Sequence, residues 1–107
     1  MTKVSVLVAV YNAAQYLHDC LDSLLNQTLK DIQVICIDDC STGSSLSILN
    51  EYAQKDSRVE VLHLDMNCGQ AHARNEGLKI ARGEFICMLD ADDWFSADAL
   101  EKAVECF

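Results

Sequence analysis

The apolar residues of the chain follow two rhythms that alternate along its length. Residues 3–10 read Lys-Val-Ser-Val-Leu-Val-Ala-Val, a β-branched run that predicts a strand buried on both faces. Over residues 13–26 the apolar positions Tyr16, Leu17, Cys20, Leu21, Leu24 and Leu25 recur in pairs four apart, the stripe of an amphipathic helix lying on a sheet. A second strand is predicted over 32–37, running into Asp38-Asp39-Cys40-Ser41-Thr42-Gly43. Ser44 or Ser45 is placed to cap a helix that carries Leu46, Leu49, Tyr52 and Ala53. Residues 59–64 predict a third strand, and Asn67-Cys68-Gly69 turns the chain into a helix over 70–81, with Gly83 as its C′ stop. Gly77 inside that helix costs about 1 kcal/mol against alanine, which a close approach to the sheet or to a ligand would explain. Residues 85–89 are five apolar residues in a row, too few for a helix, and predict a buried strand. Ser96 then opens a last helix through Phe107, with Asp98 near its positive end.

The order β-α-β-α-β-α-β-α calls for an α/β fold of three layers, α/β/α, with a mostly parallel, Rossmann-like sheet. In such sheets the crossovers are right-handed and ligands gather outside the carboxyl ends of the strands. Asn12, Asp38, Asp39, Asp90 and Asp92 all lie just past three predicted strand ends, so the topology brings them to one edge.

The segment Asp90-Ala91-Asp92-Asp93 sharpens that picture. Like charges this close repel, and each resists leaving water unless something positive compensates it. Asp90 and Asp92 would face the same way if strand geometry persisted one residue further. A hard divalent cation, Mg²⁺ or Mn²⁺, suits such oxygen ligands; an acidic turn that caps the following helix is the plainer alternative. Two acidic clusters on one sheet edge favour a site for a cation and a polyol or nucleotide.

Composition narrows the partners. With 107 residues, half of them hydrophobic and 23% charged, the chain fits one globular domain over 1–107. Seventeen acidic residues against 8 basic ones give a net charge of −9, which speaks against nucleic acid and against anionic lipid as partners. No apolar run reaches the ~20 residues of a membrane span, and Met1-Thr2-Lys3 opens no signal-peptide pattern. A cytoplasmic protein is expected, with peripheral membrane attachment left open for a longer chain. The six cysteines form no Cys-x-x-Cys pair, and Cys20, Cys36, Cys87 and Cys106 fall at apolar-periodic positions. Reduced, structural cysteines are expected.

Four pieces of the chain, taken together, resemble the first half of a family 2 glycosyltransferase with the GT-A fold. They are the stretch from Val4 to Asn12, Leu21-Asp22-Ser23-Leu24-Leu25-Asn26-Gln27-Thr28, Ile37-Asp38-Asp39-Cys40-Ser41-Thr42, and the run from Asn67-Cys68-Gly69 through Ala73-Arg74-Asn75-Glu76-Gly77 to Asp93. The resemblance implies an inverting transfer of a sugar from a nucleotide-diphosphate donor, a UDP-sugar, to a saccharide or lipid-linked acceptor. It implies that Ala9 and Tyr11 line the nucleobase pocket and that Asp38 and Asp39 face the base. It also places Arg74 near the base or pyrophosphate, Asp90 at the ribose or the metal shell, and Asp92 on a Mg²⁺ or Mn²⁺ ion. The chain departs from the family where Ala9 replaces the usual proline, Cys40 a glycine and Gly43 an aspartate.

Family members continue past the Asp-x-Asp with further strands, the acceptor site and the catalytic base. The chain is therefore expected to be a donor-binding half, truncated after that motif, with the base beyond Phe107 and no turnover of its own. An exposed sheet edge or apolar surface is expected to pair with another copy. The rival reading is a nucleotide-binding or structural fragment without catalysis. Trp94 is expected beneath the acidic loop, and His18, His63 and His72 as surface or packing residues.

Overall fold

A computed structural model describes residues 2–39, 44–64 and 69–105, without the side chain of Gln70. The expected turn residues Cys40, Ser41, Thr42, Gly43, Asn67 and Cys68, together with Cys106 and Phe107, lie outside the described residues. The elements alternate without exception: β1 (Val4–Val10), α1 (Ala14–Leu25), β2 (Ile32–Asp39), α2 (Ser45–Lys55), β3 (Val59–Leu64), α3 (Gln70–Leu78), β4 (Phe85–Asp90) and α4 (Ala99–Glu105). All strand pairs are parallel, in the order β3-β2-β1-β4.

Strand alternation divides the core into two. Val4, Val6, Val8 and Val10 of β1 and Val34 and Cys36 of β2 face Leu17, Leu21 and Leu24 of α1, Leu49 of α2 and Leu100 of α4. The opposite face packs Leu7, Ala9, Ile35 and Ile37 against Ala73 of α3. Three layers result, as the sequence pattern implied. Every residue of β1 and β2 is buried, and each fully buried aliphatic side chain contributes roughly 1.5–3 kcal/mol. Gly77 lets α3 sit close: an added Cβ would stand 2.8 Å from Ile37 Cδ1 and 3.0 Å from Leu7 Cδ2. The close approach to the sheet is thus real.

Several expectations need correction. β4 is an edge strand with alternating burial, and Ile86 and Met88 are 43% and 44% exposed on the α3 side. Five consecutive apolar residues do not reveal that α3 packs mainly on β1 and β2. The strand β2 runs on through Asp38 and Asp39, so these are paired strand residues and not a loop. The helix α3 ends at Leu78, and Gly83 is not its C′ residue. Instead Gly83 N–H donates to Ser5 Oγ at 2.8 Å, and a Cβ there would stand 2.5 Å from the Ser5 backbone nitrogen. The last helix begins at Ala99 rather than Ser96. Asp98 precedes it and pairs with Lys102 at 3.1 Å. Ser44 makes no capping hydrogen bond, and Ser45 Oγ accepts the Ala13 N–H at 3.1 Å. Trp94 is 67% exposed, not packed under the acidic loop. Cys20, Cys36 and Cys87 are free thiols, in line with reduced cysteines. Among the described residues no helix is long and apolar enough to cross a membrane.

Candidate functional site

The parallel arrangement brings the carboxyl ends of β1, β2 and β4 to one side, and a cavity of about 350 Å³ opens there. Its wall includes Ala9, Tyr11 and Asn12 from the end of β1, Asp39 from β2, and Asp90 and Asp92 from the end of β4. Such a volume falls within the range of small-ligand sites. Asn12 takes φ 48, a left-handed conformation that asparagine tolerates better than most residues. This turn directs the chain from β1 into α1 along the cavity wall, where Tyr16 also contributes.

Asp38 and Asp39 point to opposite faces, as neighbours in a strand must. Asp39 lies on the α3 face, and its carboxylate accepts the Gly69 N–H at the start of α3 at 3.0 Å. Asp38 is wholly buried and is not part of the cavity wall. Its carboxylate meets His63 Nδ1 at 2.8 Å, its register partner on β3. His63 is exposed, as expected of a surface residue, and its ring also meets the buried carboxylate. His18 Nδ1 lies 3.1 Å from the Tyr52 hydroxyl, and His72 pairs with Glu76 one turn along α3. Arg74 stands beside the cavity and reaches Asp90 Oδ1 at 3.0 Å.

The acidic turn gathers one residue more than the sequence reading assigned. Asp93 N–H donates to the Asp90 carbonyl at 2.9 Å, and this turn folds Asp93 back toward its neighbours. Carboxylate oxygens of Asp90, Asp92 and Asp93 lie within 4.8 Å of one another. Strand alternation pointed only to residues two apart; the count of three carboxylates in four positions was the available signal for Asp93. Below the turn, the Cys20 thiol is pushed up to about 12 by burial first and then by Asp93 and Asp92. A neutral sulfur therefore lies under the carboxylates and adds no charge to them. Three hard oxygen donors converging at an exposed edge fit a divalent cation that retains several waters. Asp90, Asp92 and Asp93 would hold it.

The sequence model of Glycosyl transferase family 2 matches residues 5–107. The chain is 46% identical over 101 residues to the poly(ribitol-phosphate) beta-glucosyltransferase of Bacillus spizizenii, covering 92% of this chain and 16% of that protein. Among solved structures, S. aureus TarS 1-349 in complex with UDP superposes with a TM-score of 0.89 at 36% identity, over 97% of this chain and 31% of that one. The mannosyltransferase PcManGT from Pyrobaculum calidifontis, in complex with GDP-Man and Mn²⁺, gives a TM-score of 0.89 at 29% identity, over 96% and 31%. The chain thus spans less than a third of the length of each of these proteins.

Proposed function

The chain belongs to glycosyl transferase family 2, with the GT-A fold, and on that premise we propose that it binds the nucleoside diphosphate of a UDP-sugar. The observation that carries this reading is the convergence of Ala9, Tyr11, Asp39, Asp90 and Asp92 on one cavity at the strand ends. In the proposed pose Ala9 and Tyr11 flank the uracil, and the Asp39 carboxylate accepts from its imide N–H. Asp38 lies behind Asp39 and sets the end of β2 through His63. Arg74 sits between Asp90 and the pyrophosphate, and Asp90 reaches the ribose or the metal shell. Asp92, with Asp93 beside it, holds Mg²⁺ or Mn²⁺. When bound, that ion offsets the charge of the diphosphate leaving group.

The proposed reaction is a single displacement with inversion. An acceptor hydroxyl of a saccharide or lipid-linked glycan loses its proton to a base, and its oxygen bonds to the anomeric carbon. The bond from that carbon to the diphosphate oxygen breaks, and UDP leaves. No residue among these 107 is assigned as the base; the expected position is beyond Phe107 in a longer protein. We place the reaction in the cytoplasm, in polysaccharide biosynthesis. The open edge of β4, with Ile86 and Met88 exposed, is the proposed surface for pairing with another copy. Light scattering that reports a monomer at high concentration would reject that pairing.

Titration calorimetry with Mn²⁺ present tests the nucleotide. UDP is expected to bind more tightly than GDP or ADP, and equal affinities or a guanine preference would remove the role of Asp39. A transfer assay on the same chain separates donor binding from turnover. No transfer is expected, and robust transfer would show that residues beyond this chain are dispensable.

A further inference from the structure

The carboxylates of the acidic turn are held on the β4 side by the ladder to β1, which runs up to the Ala9–Asp90 pair. On the far side the chain enters residues 94–98, which carry neither helix nor strand, and so lacks a backbone ladder to fix it. What fixes it comes from the C-terminal end of α1. Ser23 Oγ accepts the Phe95 N–H at 3.1 Å, two residues after Asp93, while donating to the Cys20 carbonyl at 2.7 Å. The Gln27 side chain is wholly buried, and both its donor hydrogens and its oxygen are engaged. Its Nε2 donates to the Ser96 carbonyl at 2.6 Å and to the Ser23 carbonyl at 3.0 Å. Its Oε1 accepts the Leu100 N–H at 3.0 Å. Thr28 N–H adds a bond to the Ala97 carbonyl at 2.7 Å.

We propose that Gln27 is the positioning residue of the acidic turn, with Ser23 as its second anchor: together they hold the strand-to-helix segment so that Asp90, Asp92 and Asp93 stay converged on one cation. The inference rests on reading that cluster as a cation site. An amide is the side chain this place requires. It supplies two donors for two carbonyls and one acceptor for an N–H, without adding a charge near three carboxylates. A glutamate would lose both donors, and an apolar residue would lose all three bonds. Outer partners that orient metal ligands commonly govern affinity by 10–100-fold when removed, because carboxylates misplaced by a fraction of an ångström no longer close on the ion. Gln27 touches neither ion nor nucleotide in this scheme. It acts through the backbone it holds.

The test compares Mn²⁺ binding in the presence of UDP, followed by the EPR signal of free Mn²⁺, with uridine binding in the absence of metal. Gln27→Met is expected to weaken Mn²⁺ binding by about 10–100-fold while leaving uridine affinity within about twofold. Ser23→Ala, a milder change that keeps the fold if Gln27→Met does not, is expected to weaken it by at least about threefold. Val59→Ala on β3, far from the turn, serves as the stability control and should move neither affinity. Wild-type Mn²⁺ affinity in Gln27→Met and Ser23→Ala would overturn the positioning role alone. An equal loss in Val59→Ala would also overturn it, since the turn would then merely follow global stability. Wild-type protein without UDP-dependent Mn²⁺ binding would instead defeat the cation reading, and the inference with it.

Discussion

At the end of the sheet where the strands begin, Ser5, Gln33, Glu60 and Arg82 form a polar cluster between β1, β2 and β3. At the end where the strands finish, Asp38, Asp39, Asp90, Asp92 and Asp93 form another. In the first, each group meets its complement. Ser5 Oγ donates to Gln33 Oε1 at 2.6 Å, Gln33 Nε2 donates to Glu60 at 2.8 Å and to the Ile80 carbonyl at 3.1 Å, and Arg82 pairs with Glu60 at 2.8 Å. Backbone N–H groups of Arg82 and Gly83 complete the set. In the second cluster like charges accumulate, with Arg74 on Asp90 and His63 on Asp38 as the basic partners. Closed complementarity is what structure needs of buried polar groups. An excess of one sign beside a cavity is what a ligand of opposite sign needs.

The comparison would break first at Gln33. Gln33→Leu keeps the volume but leaves the buried Ser5 hydroxyl hydrogen without its acceptor, at roughly 1–3 kcal/mol for a buried group left unmet, and takes a partner from the part-buried Arg82 N–H and Ile80 carbonyl. A loss of about 1–3 kcal/mol is expected in urea unfolding, read from the midpoint at unchanged slope. UDP affinity of the folded protein should stay within about twofold. A large loss of affinity at full stability would mean that the two ends are not separate in function.

Asp92→Ala tests the opposite end. It should abolish most of the mutual strengthening between UDP and Mn²⁺, a factor of at least about ten, and by reciprocity the factor is the same whichever ligand is added first. Stability should change by no more than about 0.5 kcal/mol, as for a surface position away from packing, because the substitution also removes one of three mutually repelling charges. Asp98→Ala, outside the cluster, should leave the coupling intact. Calorimetry and urea unfolding on the same preparations read both quantities. If Asp92→Ala unfolds as easily as Gln33→Leu, the acidic end is structural after all.

The two ends were not equally legible in the sequence. The acidic end could be read because strand ends of a parallel sheet converge whatever the side chains do, so topology alone united Asp39 with Asp90. The closed end could not. Ser5 and Gln33 sit inside apolar runs, and nothing local says that they face each other across β1 and β2 or that Gly83 docks on Ser5. The pairing of Asp38 with His63 is likewise a matter of register, which is fixed only when β2 and β3 are laid side by side. Exposure of β4 depends on its place at the edge and on where α3 lies, neither of which its own five apolar residues encode. Gln27 stood in the sequence only as one residue of the stretch from Leu21 to Thr28, since a single buried amide has no periodic signature.

The smallest expected effect concerns acid and again belongs to the closed end. Asp56, just before β3, receives the Arg58 guanidinium through Nε at 3.1 Å and NH2 at 2.9 Å, and the Arg58 N–H at 2.9 Å. The same guanidinium donates to the carbonyls of Leu25 and Lys30 at 3.2 Å each, which ties the end of α1 to the start of β3. Hydrogen bonds from Arg58 hold the Asp56 carboxyl below its ordinary value, against the opposing effect of burial. A depressed carboxyl in the folded state stabilises above the unfolded value of about 3.9 and loses that contribution as pH falls through the folded one. Asp56→Asn removes the charge and keeps an acceptor, so it should cost up to about 1 kcal/mol at pH 7, the scale of a partly exposed ion pair. Once pH falls below the folded-state value the wild-type carboxyl is itself protonated, and the two proteins should converge. The difference in urea midpoints between the two proteins, followed downward from pH 7, reads out this one carboxyl. A difference that persists unchanged in acid would show that the contribution of Asp56 is geometric, and that charge pairing at the closed end matters less than its hydrogen bonds.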